Sequence, residues 1–256
     1  MENLTSKRAL ITGASSGIGE AMAYSLASRG CEVFLLARRK DKLELIKNKI
    51  SELHPMGRCH ILSKDVKDAD LGEVLEEVTK KNLDILINNA GLALGKEKVI
   101  QSDIRDWEEM IATNMMANFK LVHLILPWMR ERGTGDIINL CSVAGHYTYP
   151  GGAVYCATKH AVKAFTRVLR EETCGENIRV MQISPGMVET EFSTVRFKGD
   201  KEASKKVYEG MTPLSPDDIA RMMIFMLESP RHVVIDEIIT MPQEQGSPTT
   251  VVRRSK

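Results

Sequence analysis

"RALITGASSGIG", residues 8–19, decides how the rest of the chain is read. The first five residues, RALIT (8–12), are short, mostly apolar and branched, as a strand covered on both faces should be. Three glycines come next at Gly13, Gly17 and Gly19, with Ser15, Ser16 and Ile18 between them. Glycine permits a tight turn and a close backbone approach. A helix opening at the end of such a loop offers unpaired N–H groups to a pyrophosphate. The spacing is GxxxGxG rather than GxGxxG, and a plain turn into a helix would also use glycines. The strand before and the helix after are what favour a nucleotide site.

Working outward, the same strand-then-helix rhythm continues to the end of the chain. CEVFLLA (31–37), RCHILS (58–63), LDILIN (83–88), DIINLC (136–141), IRVMQIS (178–184) and VIDEIIT (234–240) read as further strands. Helical patterns lie near 18–29, 40–53, 67–80, 106–131, 152–173 and 216–228. This alternation predicts one α/β domain over 1–256, a doubly wound, seven-stranded parallel sheet with helices on both faces. Residues 190–212 break the rhythm with charges, Gly199 and Gly210, and read as a lid over a site or as a surface excursion.

Composition narrows the function classes. At 256 residues the chain can bury a sizeable core, and 43% hydrophobic with 27% charged residues argues against disorder. A net charge of +1 gives no field that would draw nucleic acid or a membrane surface. No apolar run approaches the roughly 20 residues of a membrane helix, and the start MENLTSKRALIT lacks a signal-peptide core. Five widely spaced cysteines without a CxxC pair argue against a disulfide framework or a metal site. The expectation is a soluble, cytoplasmic, reduced protein, with the terminal VVRRSK read as a frayed tail.

In an open parallel sheet, ligands bind beyond the carboxyl ends of the strands, so the residues just past each strand matter most. After the second strand comes ARRK. Sites that prefer NAD place an acid here for the ribose 2′-hydroxyl; this chain has Arg38 and Arg39, whose guanidinium groups suit a 2′-phosphate. The expected cofactor is therefore NADP. Asp65 and Val66 lie past the third strand, with Asp65 placed to accept from an adenine amino group. Asn89, Ala90 and Gly91 lie past the fourth, Ser142 past the fifth, and Pro185, Gly186, Val188 and Thr190 past the sixth.

The stretch VYCATKHAV (154–162) adds chemistry. Tyr155 and Lys159 are four residues apart in a helical pattern and share a face. A nearby ammonium stabilises a phenolate, which predicts a Tyr155 pKa lowered from about 10 toward the working range. His123 and His160 read as packing or surface residues, Cys141 and Cys156 as packing, and Met115, Met116, Met222, Met223 and Met226 as core filling.

Taken in order, TGxxxGxG, NNAG, Ser142 thirteen residues before Tyr155, YxxxK and the PG motif resemble the short-chain dehydrogenase/reductase family over nearly the whole chain. The resemblance implies Ser142, Tyr155, Lys159 and Asn114 as the catalytic set. Tyr155 would move the proton and Ser142 would hold the substrate oxygen. Lys159 would bind the nicotinamide ribose, and Asn114 would anchor a water in a proton relay. Tyr155 and Lys159 would thus touch the cofactor together with Gly13, Ser15, Ser16, Gly17, Ile18, Gly19 and the strand-end residues above. Some NADP-using relatives carry a basic residue inside the glycine loop. Here the loop has none, so 2′-phosphate recognition would rest on Arg38, Arg39 and Ser15. The family also implies a homotetramer built on the helices at 106–131 and 152–173.

NNAGLALG, PGMVETEFSTVRFKG and TPLSPDDIA resemble the NADP-dependent 3-hydroxy acid dehydrogenases, including serine and allo-threonine dehydrogenases. A small hydroxy acid needs a cation for its carboxylate, and Arg196 is the candidate, an exposed loop charge being the alternative. His146, Tyr147 and Tyr149 either line the substrate pocket or belong to a surface loop. NNAGLA and ISPGMVET also resemble carbonyl reductases for steroid or isoprenoid substrates. A nucleotide-binding regulator without turnover is disfavoured by the intact Ser142, Tyr155 and Lys159.

Overall fold

All seven expected strands form, and they pair in the order β3-β2-β1-β4-β5-β6-β7, every pair parallel. The computed structural model describes residues 2–54 and 57–254. The strands are β1 (Arg8–Thr12), β2 (Glu32–Ala37), β3 (Cys59–Ser63), β4 (Ile85–Asn88), β5 (Gly135–Leu140), β6 (Ile178–Pro185) and β7 (Glu237–Thr240). The chain order reverses at β1, which is flanked by β2 on one side and β4 on the other. A crevice opens beyond the strand ends at such a reversal.

Alternation along each strand builds two cores. Ala9 and Ile11, Val33 and Leu35, Ile85 and Ile87, Ile138 and Leu140, and Met181 and Ile183 face one side. There they pack on α1 (Gly17–Ala27), α2 (Lys40–Leu53) and α9 (Pro216–Glu228). Leu10, Phe34 and Leu36, Leu86, Ile137 and Val180 face the other, against α3 (Leu71–Thr79), α5 (Ala117–Arg132) and α6 (Ala153–Glu172). Both faces of every central strand are thus buried, which is why the strand sequences run almost continuously apolar.

Three departures from the expected elements have local causes. The helix expected from 67 starts only at Leu71, because Asp65 and Asp68 use their side chains on the backbone N–H groups of Lys67 and Asp65 and hold a turn there. The helix expected over 106–131 is two helices, α4 (Ile104–Met110) and α5, joined by a widened π-helical turn over Ile111–Met116. Met116 on that turn is exposed and Met115 half-buried, so neither is core filling. The irregular segment after β6 contains two short helices, α7 (Phe192–Arg196) and α8 (Lys201–Lys206).

The C-terminal stretch read as a frayed tail is ordered through Arg254; Ser255 and Lys256 lie outside the described residues. Val252 and Arg254 donate backbone N–H groups to Glu244 and Gly210, and the Arg253 guanidinium holds the carbonyls of Val207 and Glu209. Paired backbone is what distinguishes a docked terminus from a loose one. No described helix is long and apolar enough to cross a membrane.

Candidate active site

A cleft of about 840 Å³ runs along the carboxyl ends of β1 to β6. At its first wall, the chain leaves β1 through Gly13, whose φ of +65° is in the left-handed region that glycine adopts without strain. Gly19 lies at a close approach: a Cβ there would sit 2.5 Å from the Gly13 carbonyl oxygen. Gly19 is therefore packed behind the loop, while Gly13, Ser15, Ser16, Gly17 and Ile18 line the cleft. The N-cap residue of α1, Ser16, makes no side-chain capping bond, and this helix start, unlike the other uncapped ones, follows directly on the glycine loop that lines the cleft. The first N–H groups of α1 are thus left for an anion.

Beside this loop, β2 ends at Ala37 and leads into Arg38 and Arg39, both lining the cleft. Arg39 Nε and Nη2 reach Ser15 Oγ at 3.1 and 3.0 Å, and Nη2 also donates to Ser16 Oγ at 2.6 Å. Its Nη1 is paired with Glu191 Oε2 at 2.7 Å, and the Arg39 hydrogen bond and charge hold the Glu191 carboxyl below its ordinary value. Arg38 Nη1 stands 3.7 Å from Asp65 Oδ2. Asp65, Val66, Asn89, Ala90 and Gly91 form the next stretch of wall. The glycine loop, the uncapped helix start and two arginines at the β2 end suit a dinucleotide with a 2′-phosphate.

Farther along the cleft are the residues expected to do chemistry. Tyr155 and Lys159 share a face of α6, line the cleft and are 8% and 5% exposed. Lys159 Nζ donates to the Leu140 carbonyl at 2.9 Å and lies 6.0 Å from the centre of the Tyr155 ring. This corrects the expected electrostatics of Tyr155. Burial pushes its phenol above the ordinary value of 10.0, assisted by Tyr149, while the neighbouring Ser142 and the charge of Arg196 pull it down. Burial likewise lowers the pKa of Lys159. In this arrangement the tyrosine is held as the neutral, proton-donating phenol.

Ser142 caps the 3₁₀ turn Val143–Gly145: its Oγ accepts from Ala144 N at 3.1 Å and stands 3.5 Å from the Pro185 carbonyl. Asn114 sits in the widened turn and is 1% exposed. Its Oδ1 accepts from Leu92 N, and its Nδ2 donates to Leu92 O, both at 2.8 Å, and to Thr158 Oγ1 at 3.2 Å. Asn114 therefore stands behind the cleft wall, gripping the backbone just after Gly91. Pro185, Gly186, Val188 and Thr190 complete the expected set along the wall.

The substrate candidates separate. Tyr149 and Arg196 line the cleft, and the Arg196 guanidinium carbon lies 5.9 Å from the Tyr155 ring centre. Arg196 donates from Nη1 to Tyr149 Oη at 3.0 Å, from Nε to Gly95 O at 3.2 Å and from Nη2 to Gly151 O at 3.3 Å. Of its five N–H groups, these bonds use three. His146 is the exception: it turns away from the cleft, toward Glu237 and Lys163, because a buried carboxylate and an ammonium offer its two nitrogens opposite roles. Tyr147 is exposed.

Several lining residues carry no motif. Phe192 packs on the Tyr155 ring at 5.6 Å, and Tyr208 donates to the Val188 carbonyl while accepting from Ser193 Oγ. Gln245 Oε1 accepts from Met187 N at 2.8 Å, and Pro248, Thr249, Val251 and Arg253 of the C-terminal segment close the cleft beyond α7 and α8. Nothing local in the sequence marks the tail as a wall. Among the described residues no cluster of three His, Cys, Asp or Glu side chains could hold a metal.

Comparison with known proteins gives a consistent result. Residues 7–201 match the family described as short chain dehydrogenase. An NADP-dependent 3-hydroxy acid dehydrogenase of Schizosaccharomyces pombe is 42% identical over 258 residues, covering 99% of each chain. A serine 3-dehydrogenase of Rhizobium radiobacter is 39% identical, covering 93% of this chain and 94% of its own. Among solved structures, the closed form of a serine dehydrogenase complexed with NADP⁺ superposes with a TM-score of 0.90 at 36% identity, covering 97% of this chain and 100% of that one.

Proposed function

The chain belongs to the short-chain dehydrogenase/reductase family, and from that premise we propose that it exchanges hydride between NADP(H) and the carbinol carbon of a small 3-hydroxy acid, with serine and allo-threonine the first candidates. The observation that carries the substrate reading is the position of Arg196, a cation in the same cleft as Tyr155 with its guanidinium carbon 5.9 Å from that ring. A 3-hydroxy acid carries its carboxylate two bonds from the reacting carbon, within reach of both groups. The names of the relatives support the same class.

NADP, when bound, supplies the hydride chemistry, and the chain supplies position and protons. The uncapped start of α1 takes the pyrophosphate, and Arg39 with Ser15 and Ser16 takes the 2′-phosphate. Ser142 donates to the substrate oxygen as charge grows on it. Tyr155, held neutral by burial, gives its proton to that oxygen in reduction, and in oxidation its phenolate takes one back. Lys159, which lines the cleft beside Tyr155, would hold the nicotinamide ribose. The segment 190–212 is the lid, with Arg196 of α7 as its substrate contact. The homotetramer belongs to the same proposal: Ile104, Ile111, Met116 and Val168 stand exposed on α4, the widened turn and α6, which suits a second copy.

A second reading has one observation in its favour. The three hydrogen bonds of Arg196 to Gly95, Tyr149 and Gly151 would make it a clasp for α7, leaving Tyr149 and Phe192 as apolar walls for an uncharged steroid or isoprenoid carbonyl. NADP reduction with serine, allo-threonine, 3-hydroxypropionate and farnesol side by side separates the two. Turnover of the hydroxy acids well above farnesol supports the first reading, and the reverse order establishes the second.

A further inference from the structure

His146, turned away from the cleft, belongs to a buried polar network centred on Glu237. Glu237 lies opposite Gln182 in the β6–β7 register. Its Oε1 accepts from Ser184 Oγ at 2.5 Å, from Gln182 Nε2 at 2.6 Å and from His146 Nε2 at 2.6 Å. Lys163 Nζ stands 2.7 Å from His146 Nδ1. An ammonium only donates, so Nδ1 accepts and Nε2 carries the hydrogen given to Glu237. Ser184 and Gln182 are 0% and 2% exposed, and the Glu237 and His146 side chains 13% and 14%. Burial pushes the Glu237 carboxyl up, yet the bonds from Ser184, His146 and Gln182 bring it below its ordinary value, so the carboxylate is charged.

The partners of Glu237 are the chain neighbours of the two segments that hold Ser142. His146 ends the 3₁₀ turn that Ser142 caps, and Ser184 immediately precedes Pro185, whose carbonyl faces Ser142 Oγ. Glu237, His146, Ser184 and Lys163 all lie outside the cleft wall. One carboxylate thus ties together, from behind, the turn after β5 and the end of β6.

We propose that Glu237 is a positioning residue for Ser142. Through His146 and Ser184 its carboxylate fixes the two segments that aim the Ser142 hydroxyl at the substrate oxygen, and Lys163 keeps His146 in the tautomer that donates to Glu237. This rests on the reading of Ser142 as the group that holds that oxygen. Orientation at an active site is steep in effect: a small misplacement of a reacting group costs on the order of 100-fold in rate.

The test is a double-mutant cycle with Glu237→Leu and Ser142→Ala, reading kcat for carbonyl reduction, NADPH affinity by fluorescence and the unfolding midpoint. Glu237→Leu should lower kcat roughly 10- to 100-fold with NADPH affinity unchanged, and should have no further effect in the Ser142→Ala background. Glu237→Gln, whose carbonyl oxygen still accepts from Ser184 and His146, should restore most of the rate. An equal loss of kcat with and without Ser142, or wild-type kcat in Glu237→Leu, overturns the inference. Wild-type turnover in Ser142→Ala alone overturns the functional reading instead. If Glu237→Leu does not fold, His146→Leu, which keeps the Ser184 bond, replaces it in the cycle, and normal turnover in that variant also overturns the inference.

Discussion

Replacing Arg39 by alanine tests how the cleft reads its cofactor. The side chain spans three elements, from the end of β2 to Ser15 and Ser16 of the glycine loop and to Glu191 at the base of the lid. A charge-assisted hydrogen bond contributes about 1.5–3 kcal/mol. Against it stands the Arg39–Glu191 pair, which a 2′-phosphate must displace. With side chains 42% and 52% exposed, that pair belongs with surface ion pairs worth about 0.2–1 kcal/mol. The difference leaves roughly 0.5–2.8 kcal/mol, or about 2- to 100-fold in NADPH affinity lost in Arg39→Ala. NADH has no 2′-phosphate and should bind the variant as it binds the parent protein. The same accounting gives the opposite sign for Glu191→Gln, which removes the competitor and should tighten NADPH about 1.4- to 5-fold. Fluorescence titration of both nucleotides into both variants is the assay. An equal loss of NADPH and NADH affinity in Arg39→Ala would refute the reasoning, as would a Glu191→Gln variant that binds NADPH more weakly than the parent.

Tyr155→Phe keeps the ring on Phe192 and removes the hydroxyl, so turnover should fall at least ~100-fold while NADPH still binds, and near-normal turnover would remove Tyr155 from its role. Arg196→Met should raise KM for serine strongly and spare uncharged carbonyls; equal damage to both would make Arg196 a clasp only. The pH dependence derives from the raised Tyr155 pKa. Oxidation needs the phenolate, which stays scarce at neutral pH and grows ~10-fold per unit below the pKa, so the oxidation rate should climb well into the alkaline range while reduction stays level through neutrality. An oxidation rate independent of pH on the alkaline side would contradict the buried neutral phenol.

The legible part of the sequence is the part that lies at strand ends. In a parallel sheet every carboxyl end opens on the same side, so seven apolar runs were enough to bring the glycine loop, Arg38 and Arg39, Asp65, Ser142 and the PG segment to one cleft. Contacts set by residues far apart in the chain were not legible. His146 stands close enough after Ser142 to read as a cleft residue, but its orientation is decided by Glu237, 91 positions later. IATNMM has the composition of ordinary helix, and its widening around Asn114 depends on the Leu92 backbone, 22 positions earlier. VVRRSK has no period and no apolar face. The docking of Arg253 and Arg254 depends on the carbonyls of Val207, Glu209 and Gly210, which no side-chain pattern announces.

The Tyr155 and Lys159 pair shows the same division within four residues. Helical spacing places both side chains on one face, and the structure keeps them there. The inference that the ammonium lowers the phenol pKa needs a distance and a dielectric as well as a face. The ammonium lies 6.0 Å from the ring centre, and one of its hydrogens goes to the Leu140 carbonyl, while both groups sit in a water-poor wall where charge itself is penalised. Burial acts on the two groups in opposite senses, raising the tyrosine and lowering the lysine, so each is pushed toward its neutral form. The groups that do pull the phenol down are Ser142 and Arg196, one on the turn after β5 and one on the lid. The proton affinity of Tyr155 is therefore set across three separate elements. A substrate carboxylate that neutralised Arg196 would weaken one of the two lowering influences, so the phenol would hold its proton more tightly with a hydroxy acid bound than with an uncharged carbonyl.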